Sequence, residues 1–253
     1  MTEQKESHSE NPAEPSGFNA MPWLMGALFV LGVAILAGIY WNRTVVIQDV
    51  QFSGHNFITE GELAGKANVP TGVSPDSVDF MSIINQLETL PYVKQAAVNV
   101  EPSGDLRIQV TERRPIAMLA DGDAKIYVDE EGIRLPLKLE KSVDVPIVYG
   151  FKTAPMSDTL KSDAWVQTQS FLKEINGSSF NHATISEIAW TKKEGIVALS
   201  HENGVKLVFG KDKFRRKLRN WKAFYSEVVR TKGIDKMRTV DLRFKGQIVT
   251  RES

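Results

Sequence analysis

Three carboxylates in a row, Asp129-Glu130-Glu131, are the first residues in this chain whose type and spacing could do chemistry. Clustered acids can coordinate a hard cation or divide acid and base roles in glycan hydrolysis. Gly132 follows directly, the setting of a solvated turn. The four histidines, His8, His55, His182 and His201, share no metal-ligand spacing. Cysteine is absent, so thiol catalysis, thiolate metal sites and disulfides are excluded together, as suits an oxidising compartment. Phosphate-cradling glycine loops, nucleophile elbows and HExxH helices are also missing. These residues point away from an enzyme and imply no cofactor and no metal ion.

Two stretches have the chemistry to hold a macromolecule instead. Lys211 to Lys222 carries seven basic residues against Asp212 alone. Phe214, Leu218, Trp221, Tyr225 and Val228 fall on one helical stripe in and beyond it. Such a helix either buries the stripe and solvates its charges, or grips anionic lipid or an acidic partner. Arg215, Arg216 and Arg219 are the candidate charged rim, which would speed encounter more than it tightens binding. The second stretch, TVDLRFKGQIV at 239–249, reads as one closing strand. Val240, Leu242 and Phe244 alternate with Asp241, Arg243 and Lys245, the pattern of one buried and one wet face. At a sheet edge its unpaired backbone groups would template an incoming strand. Val240, Asp241, Leu242, Arg243, Phe244, Lys245, Gly246, Gln247 and Ile248 form the candidate partner site. Arg243 would meet a partner carboxylate and Phe244 would be the apolar anchor. Parity sends Phe244 inward with Val240 and Leu242, whereas a twisted strand end would expose it.

An ordered, anchored body has to position these residues. Residues 22–41 hold no charge over twenty positions, enough at about 1.5 Å per residue to cross a roughly 30 Å hydrocarbon core. Trp23, Tyr40 and Trp41 stand at its ends as interfacial aromatics do. The leader lacks a basic n-region and no small-x-small site follows the apolar run, so a single uncleaved anchor is expected rather than a signal peptide. Flanking charge sets no orientation, because Lys5 is remote and Arg43 follows the helix directly. Residues 1–21, with four Glu against one Lys and few apolar side chains, predict a disordered tail. The rest carries 30 basic and 27 acidic residues, a balance without a nucleic-acid signal.

Periodicity divides the remainder into two units. Over 44–113 it predicts a strand at 45–52 and a short helix opened by the capping pair Thr59 and Glu62. An amphipathic helix at 77–90 follows, with Val78, Met81, Ile83, Ile84 and Leu87 as its stripe. A hairpin comes next: Ala96, Val98 and Val100, then Leu106, Ile108 and Val110, alternate on either side of Pro102-Ser103-Gly104-Asp105. Pro115 cannot donate to a ladder and biases Arg114 toward extended backbone, so the second strand should stop near Glu112 or Arg113. Over 114–250 the pattern gives strands at 116–119, 126–128, 133–135, 147–149, 185–190, 196–199 and 205–209. Asn203-Gly204 turns between the last two. Helices are expected at 164–175 and from 211 to about 231. No low-complexity linker intervenes, so the two units should abut.

Four segments then match in order behind the one anchor. LPYVKQAAV at 90–98, TERRPIAML at 111–119, VDEEGIRL at 128–135 and TVDLRF at 239–244 resemble the FtsQ/DivIB family of bacterial cell-division proteins. The resemblance implies an α+β fold: a single N-terminal transmembrane helix, a POTRA module of β-α-α-β-β order over 44–113, and a mixed β-rich domain over 114–250 with a C-terminal helix and strand. It implies a cytoplasmic tail over 1–21 and a single-pass type II protein of the bacterial inner membrane, its C-terminal domain periplasmic, at the division septum. The family's role is a non-enzymatic divisome scaffold. It joins FtsB-like and FtsL-like single-span division proteins, among other divisome proteins, through the C-terminal part of the β domain, and thereby controls septal peptidoglycan synthesis. The weakly charged membrane flanks depart from the family's more basic cytoplasmic side. A second reading stays open, a POTRA-bearing envelope-assembly or export component that binds extended client chains. It is weakened because no long series of alternating ten-residue segments, the mark of a membrane barrel, is present.

Overall fold

The computed structural model describes residues 21–138, 140–156 and 159–252. The expected disordered tail over 1–21 therefore lies, apart from Met21, outside the described residues. Helix α1 (Met21–Thr44) contains a run, Met21–Tyr40, long and apolar enough to cross a membrane. Over Met21–Tyr40 its large apolar side chains are exposed, from Ile39 at 49% to Trp23 at 73%. An apolar surface of that extent demands a bilayer or a partner to cover it.

The strand expected at 45–52 shrinks to β1 (Val50–Ser53). Ahead of it, Ile47 is buried and spends its backbone on Val73 O at 2.9 Å and Gly72 N at 2.7 Å. Helix α2 (Glu60–Ala67) opens with the predicted capping box, the Glu62 N–H donating to Thr59 Oγ1 and the Thr59 N–H to Glu62 Oε2. That N–H, followed by the Lys138 ammonium, holds the Glu62 carboxyl at about 2, down from 4.5. A carboxylate depressed by folding contributes stability that is present above the unfolded value and lost as pH falls through the folded one. Glu62→Gln should therefore flatten the loss of stability between pH 4.5 and about 2, read as urea midpoints across that range. Thr59→Ala should cost about 1 kcal/mol at neutral pH.

Helix α3 (Phe80–Leu87) begins three residues later than its stripe suggested, because a 3₁₀ turn over Pro75–Ser77 precedes it and Asp79 caps it. Ile83 and Leu87 are buried, but Met81 faces solvent at 63 % exposure. The hairpin forms as β2 (Val93–Val100) and β3 (Leu106–Glu112), pairing Val100 with Leu106, Val98 with Ile108 and Ala96 with Val110. Apolar meets apolar at each pair, since a slip by one residue would turn these side chains to the opposite face. Strand β1 adds to β3 in parallel, giving the order β1-β3-β2, and Leu63, Ile83, Leu87, Ile108 and Val110 form the core beneath. Gly104, at φ +95°, lets the hairpin loop close on the segment leaving α1, where a β-carbon would stand 2.5 Å from Val46 O. The loop of the hairpin is thus at the anchor end, and Glu112 is at the far end.

The second unit comprises β4 (Pro115–Asp121), β5 (Ala124–Asp129), β6 (Arg134–Leu135), β7 (Ile147–Tyr149), α4 (Asp163–Asn176), α5 (Ser179–Thr184) and β8 (Ile185–Thr191). It continues through β9 (Gly195–Ser200), β10 (Lys206–Gly210), α6 (Phe214–Phe224), β11 (Met237–Asp241) and β12 (Val249–Glu252). Among the described residues one nine-stranded sheet runs β12-β11-β10-β9-β8-β7-β4-β5-β6. Asn203 and Gly204 both take φ 58°, the left-handed pair that a two-residue hairpin turn requires. Helix α5, six residues capped by Ser178, was too short to show a period. The long basic helix is also shorter than expected: Lys213 sits in left-handed backbone before it, and the helix widens to a π turn over Tyr225–Val229. Trp165, Phe171, Phe209 and Trp221 centre the core that α4 and α6 build on the sheet.

The two units abut. Tyr127 and Leu135 of the second enter the core of the first, and the Tyr92 hydroxyl donates to Pro136 O at 2.7 Å. Arg113, on the joining segment, reaches Asp129 at 2.8 Å and Glu131 at 2.6 Å.

Candidate functional site

Residues 239–249 do not make the single strand that alternation suggested. Strand β11 stops at Asp241 and the chain re-enters the sheet as β12 at Val249. The break has a local cause. Asp241 accepts from the Arg243 N–H at 3.1 Å, and its carboxylate takes Arg243 Nη2 at 2.6 Å. A side chain that bonds its own backbone two residues on offers the chain an alternative to the ladder. Gly246, at φ +79°, then turns the chain back. Burial would raise the Asp241 carboxyl, but the Arg243 side chain and backbone, with the Lys217 charge behind them, hold it below its ordinary value.

This bend redistributes the candidate residues. Val240 and Leu242 are fully buried, so they support the site from beneath and offer no contact surface. Strand β11 is not an edge: β10 pairs with it in parallel and β12 antiparallel. Phe244 leaves the inward parity of Val240 and Leu242 and stands 44 % exposed. The Arg243 guanidinium lies 6.0 Å from its ring centroid, within cation–π range. Arg243 is thus partnered by its own Asp241 and Phe244, where the sequence suggested a free cation. Lys245, Gly246 and Gln247 are exposed and Ile248 rests on the core.

The edge at this end of the sheet is β12, which the sequence reading missed. Val249, Thr250, Arg251 and Glu252 are all exposed, and among the described residues only β11 pairs with them. Gly246 followed by the β-formers Ile248, Val249 and Thr250 was the available signal. What the edge can do chemically is add a strand along its row of backbone donors and acceptors, while the bend before it exposes an aromatic ring.

The basic helix divides its charges. Phe214, Leu218 and Trp221 are buried as the stripe predicted, and so is Lys217, which donates to Asp212 O at 2.7 Å and Asp212 Oδ1 at 3.0 Å. That ammonium holds the Asp212 carboxyl below its usual range. Arg215 pairs with Glu174 at 3.1 Å, while Arg216 and Arg219 line a groove against α4. The acidic run is likewise engaged: Asp129 is buried and accepts from Arg113 and from the Glu131 and Ile133 N–H groups. Lys94 bridges Glu130 and Glu131. These carboxylates form a joint between the two units.

Both units have relatives among known proteins. Residues 45–113 match the model of the POTRA domain, FtsQ-type, and residues 114–251 that of FtsQ/DivIB, C-terminal related. The chain is 30% identical to the cell division protein FtsQ of Rhodothermus marinus over 95% of its own length and 90% of that protein's. It is 28% identical to FtsQ of Salinibacter ruber, over 93% of this chain and 94% of that one. It also resembles the solved major extracytoplasmic domain of DivIB from Geobacillus stearothermophilus, at 21% identity and TM-score 0.32, over 47% of this chain and 97% of that one. With an apolar helix at its N-terminal end, a three-stranded α/β unit and a β-rich domain in this order, the chain belongs to the FtsQ/DivIB family of cell-division proteins.

Proposed function

We propose that this protein is a non-catalytic scaffold of the division complex that captures a strand of an FtsB-like partner along the free edge of β12, and with it an FtsL-like one. Its tail, residues 1–21, is cytoplasmic, residues 22–41 cross the inner membrane, and the POTRA module (44–113) and β domain (114–250) lie in the periplasm at the septum. Holding these partners there places it in control of septal peptidoglycan synthesis. The observation that carries the reading is the exposed β12 edge, with the half-exposed Phe244 ring in the bend that leads into it. Backbone bonds along the edge give affinity, and the ring gives a side-chain anchor.

The test is co-purification of the tagged full-length protein from native membranes, with identification of the bound chains. Phe244→Ala should weaken capture of single-span division proteins about 30-fold, a hot-spot loss of roughly 2 kcal/mol. Proline at Thr250 and at Arg251 should act unequally. Successive N–H groups point to opposite sides of a strand, so one proline removes a donor from the free edge and the other from the ladder to β11. Equal capture by all three variants would place the partner elsewhere. Recovery of export or barrel-assembly proteins alone would favour the envelope-assembly reading.

A further inference from the structure

We propose that the groove between α4 and α6 is a second docking site, for an acidic amphipathic segment of a partner protein. The groove is open to solvent and spans about 670 Å³. One wall is α4, with Val166, Gln167 and Ser170; the other is the segment from Lys211 to Arg219 that contains the start of α6. Its two acids are already engaged, Glu174 by Arg215 and Asp212 by Lys217. Lys211, Lys213, Arg216 and Arg219 form no ion pair among the described residues. Lys213 and Arg216 also feel the Asp212 carboxylate, yet five Lys and Arg side chains against two acids on the groove leave a net positive field that attracts carboxylates and repels other cations.

Two further features select the occupant. The Arg216 Nε is shut off from solvent and has no hydrogen-bond partner, a buried donor of the kind that native structures satisfy in nearly every case. Opposite it, Val166 is 54 % exposed, the most exposed aliphatic side chain among the described residues beyond α1 other than Met81, while Phe214 closes the floor. An apolar wall facing a cationic one fits a segment with apolar side chains on one side and carboxylates on the other, laid between two helices as a third. A phosphate polymer would leave the apolar wall unused. The β domain begins at the end of β3 away from the anchor. The hairpin loop is at the anchor end, and β3 carries the chain over its seven residues before the β domain begins. That is roughly 20 Å at about 3.3 Å per residue, beyond a Debye length of about 8 Å. Gln167 is itself fixed by Trp190 Nε1 at 3.2 Å, so the α4 wall is preformed.

The test uses the full-length chain in phosphatidylcholine nanodiscs and a fluorescent helical peptide with Leu on one face and Glu on the other. Fluorescence anisotropy should show saturable binding, weakened at least about tenfold when Gln replaces Glu in the peptide. Arg219→Glu, at an exposed position, should weaken binding severalfold and Arg216→Glu/Arg219→Glu at least about tenfold, with Lys66→Glu and Phe244→Ala unchanged. The Phe244 arm separates this groove from the β12 edge, so either site can fail alone. If the double variant is misfolded by circular dichroism, Arg219→Glu alone decides. Binding that ignores Arg219→Glu, or no binding of the Glu peptide, overturns the proposal. Preference for polyphosphate over the peptide would make the groove a polyanion site, and recruitment of phosphatidylglycerol vesicles would make it a lipid site; each outcome also overturns it.

Discussion

Replacing Trp221 with alanine is expected to destabilise the β domain by about 4 kcal/mol, the largest effect we anticipate for one substitution. Its side chain is fully buried under the sheet, packs edge-on against Tyr225 at 5.5 Å and donates from Nε1 to Thr184 Oγ1 at 3.0 Å. Truncation removes that buried area and leaves a cavity between α5, α6 and the sheet, which regular secondary structure cannot collapse to fill. Thr184 keeps its bond to Phe180 O, so most of the loss is packing. Trp221→Phe should then cost only about 1–2 kcal/mol, the missing hydrogen bond plus part of the volume. Urea unfolding of the detergent-solubilised protein, followed by circular dichroism, measures both. An alanine effect below about 1 kcal/mol would mean that this core is not packed as described. Val166→Ala on the exposed wall is the control, expected within about 0.5 kcal/mol of wild type.

Arg113→Ala is expected to cost about 3 kcal/mol and to loosen the joint between the POTRA module and the β domain. Its guanidinium bridges Asp129, whose side chain is 3% exposed, and Glu131. Without it the buried Asp129 carboxylate retains, among the described residues, the Glu131 and Ile133 N–H groups as donors, and an uncompensated buried charge is expensive. Hydrogen exchange should rise on both sides of the joint, at the ends of β3 and β5. A double cycle with Asp129→Ala isolates the pair: a coupling of 0.5 kcal/mol or less would show that the apolar contacts of Tyr92, Tyr127 and Leu135 hold the two units together without it.

Much of this architecture was legible in the chain. The uncharged run of α1, the hairpin register and the Thr59–Glu62 cap follow from patterns confined to a few neighbouring residues, and each appeared where it was expected. The misses have particular causes. The strand at 45–52 lost its first half because Ile47 bonds to the 72–73 turn, a partner twenty-five residues away. The helix from 211 lost its first turn to the left-handed Lys213. Alternation over 239–249 concealed a bend, because Asp241 and Arg243 look like ordinary outward residues until they bond to each other.

The same division applies to function. Sequence alone determined the anchor, the order of the two units and the family, since hydrophobic period, turn residues and linear motifs are carried by contiguous residues. Tertiary structure decided where a partner can attach. Whether β11 or β12 ends the sheet depends on which strands pair, and whether Phe244 faces in or out depends on the bend after Asp241. Which arginines stay uncompensated depends on Glu174, forty-one residues before Arg215. The strand pairing and the Glu174 contact join distant residues, and the Asp241–Arg243 bond, though local, breaks the alternation instead of following it; no local period encodes any of them.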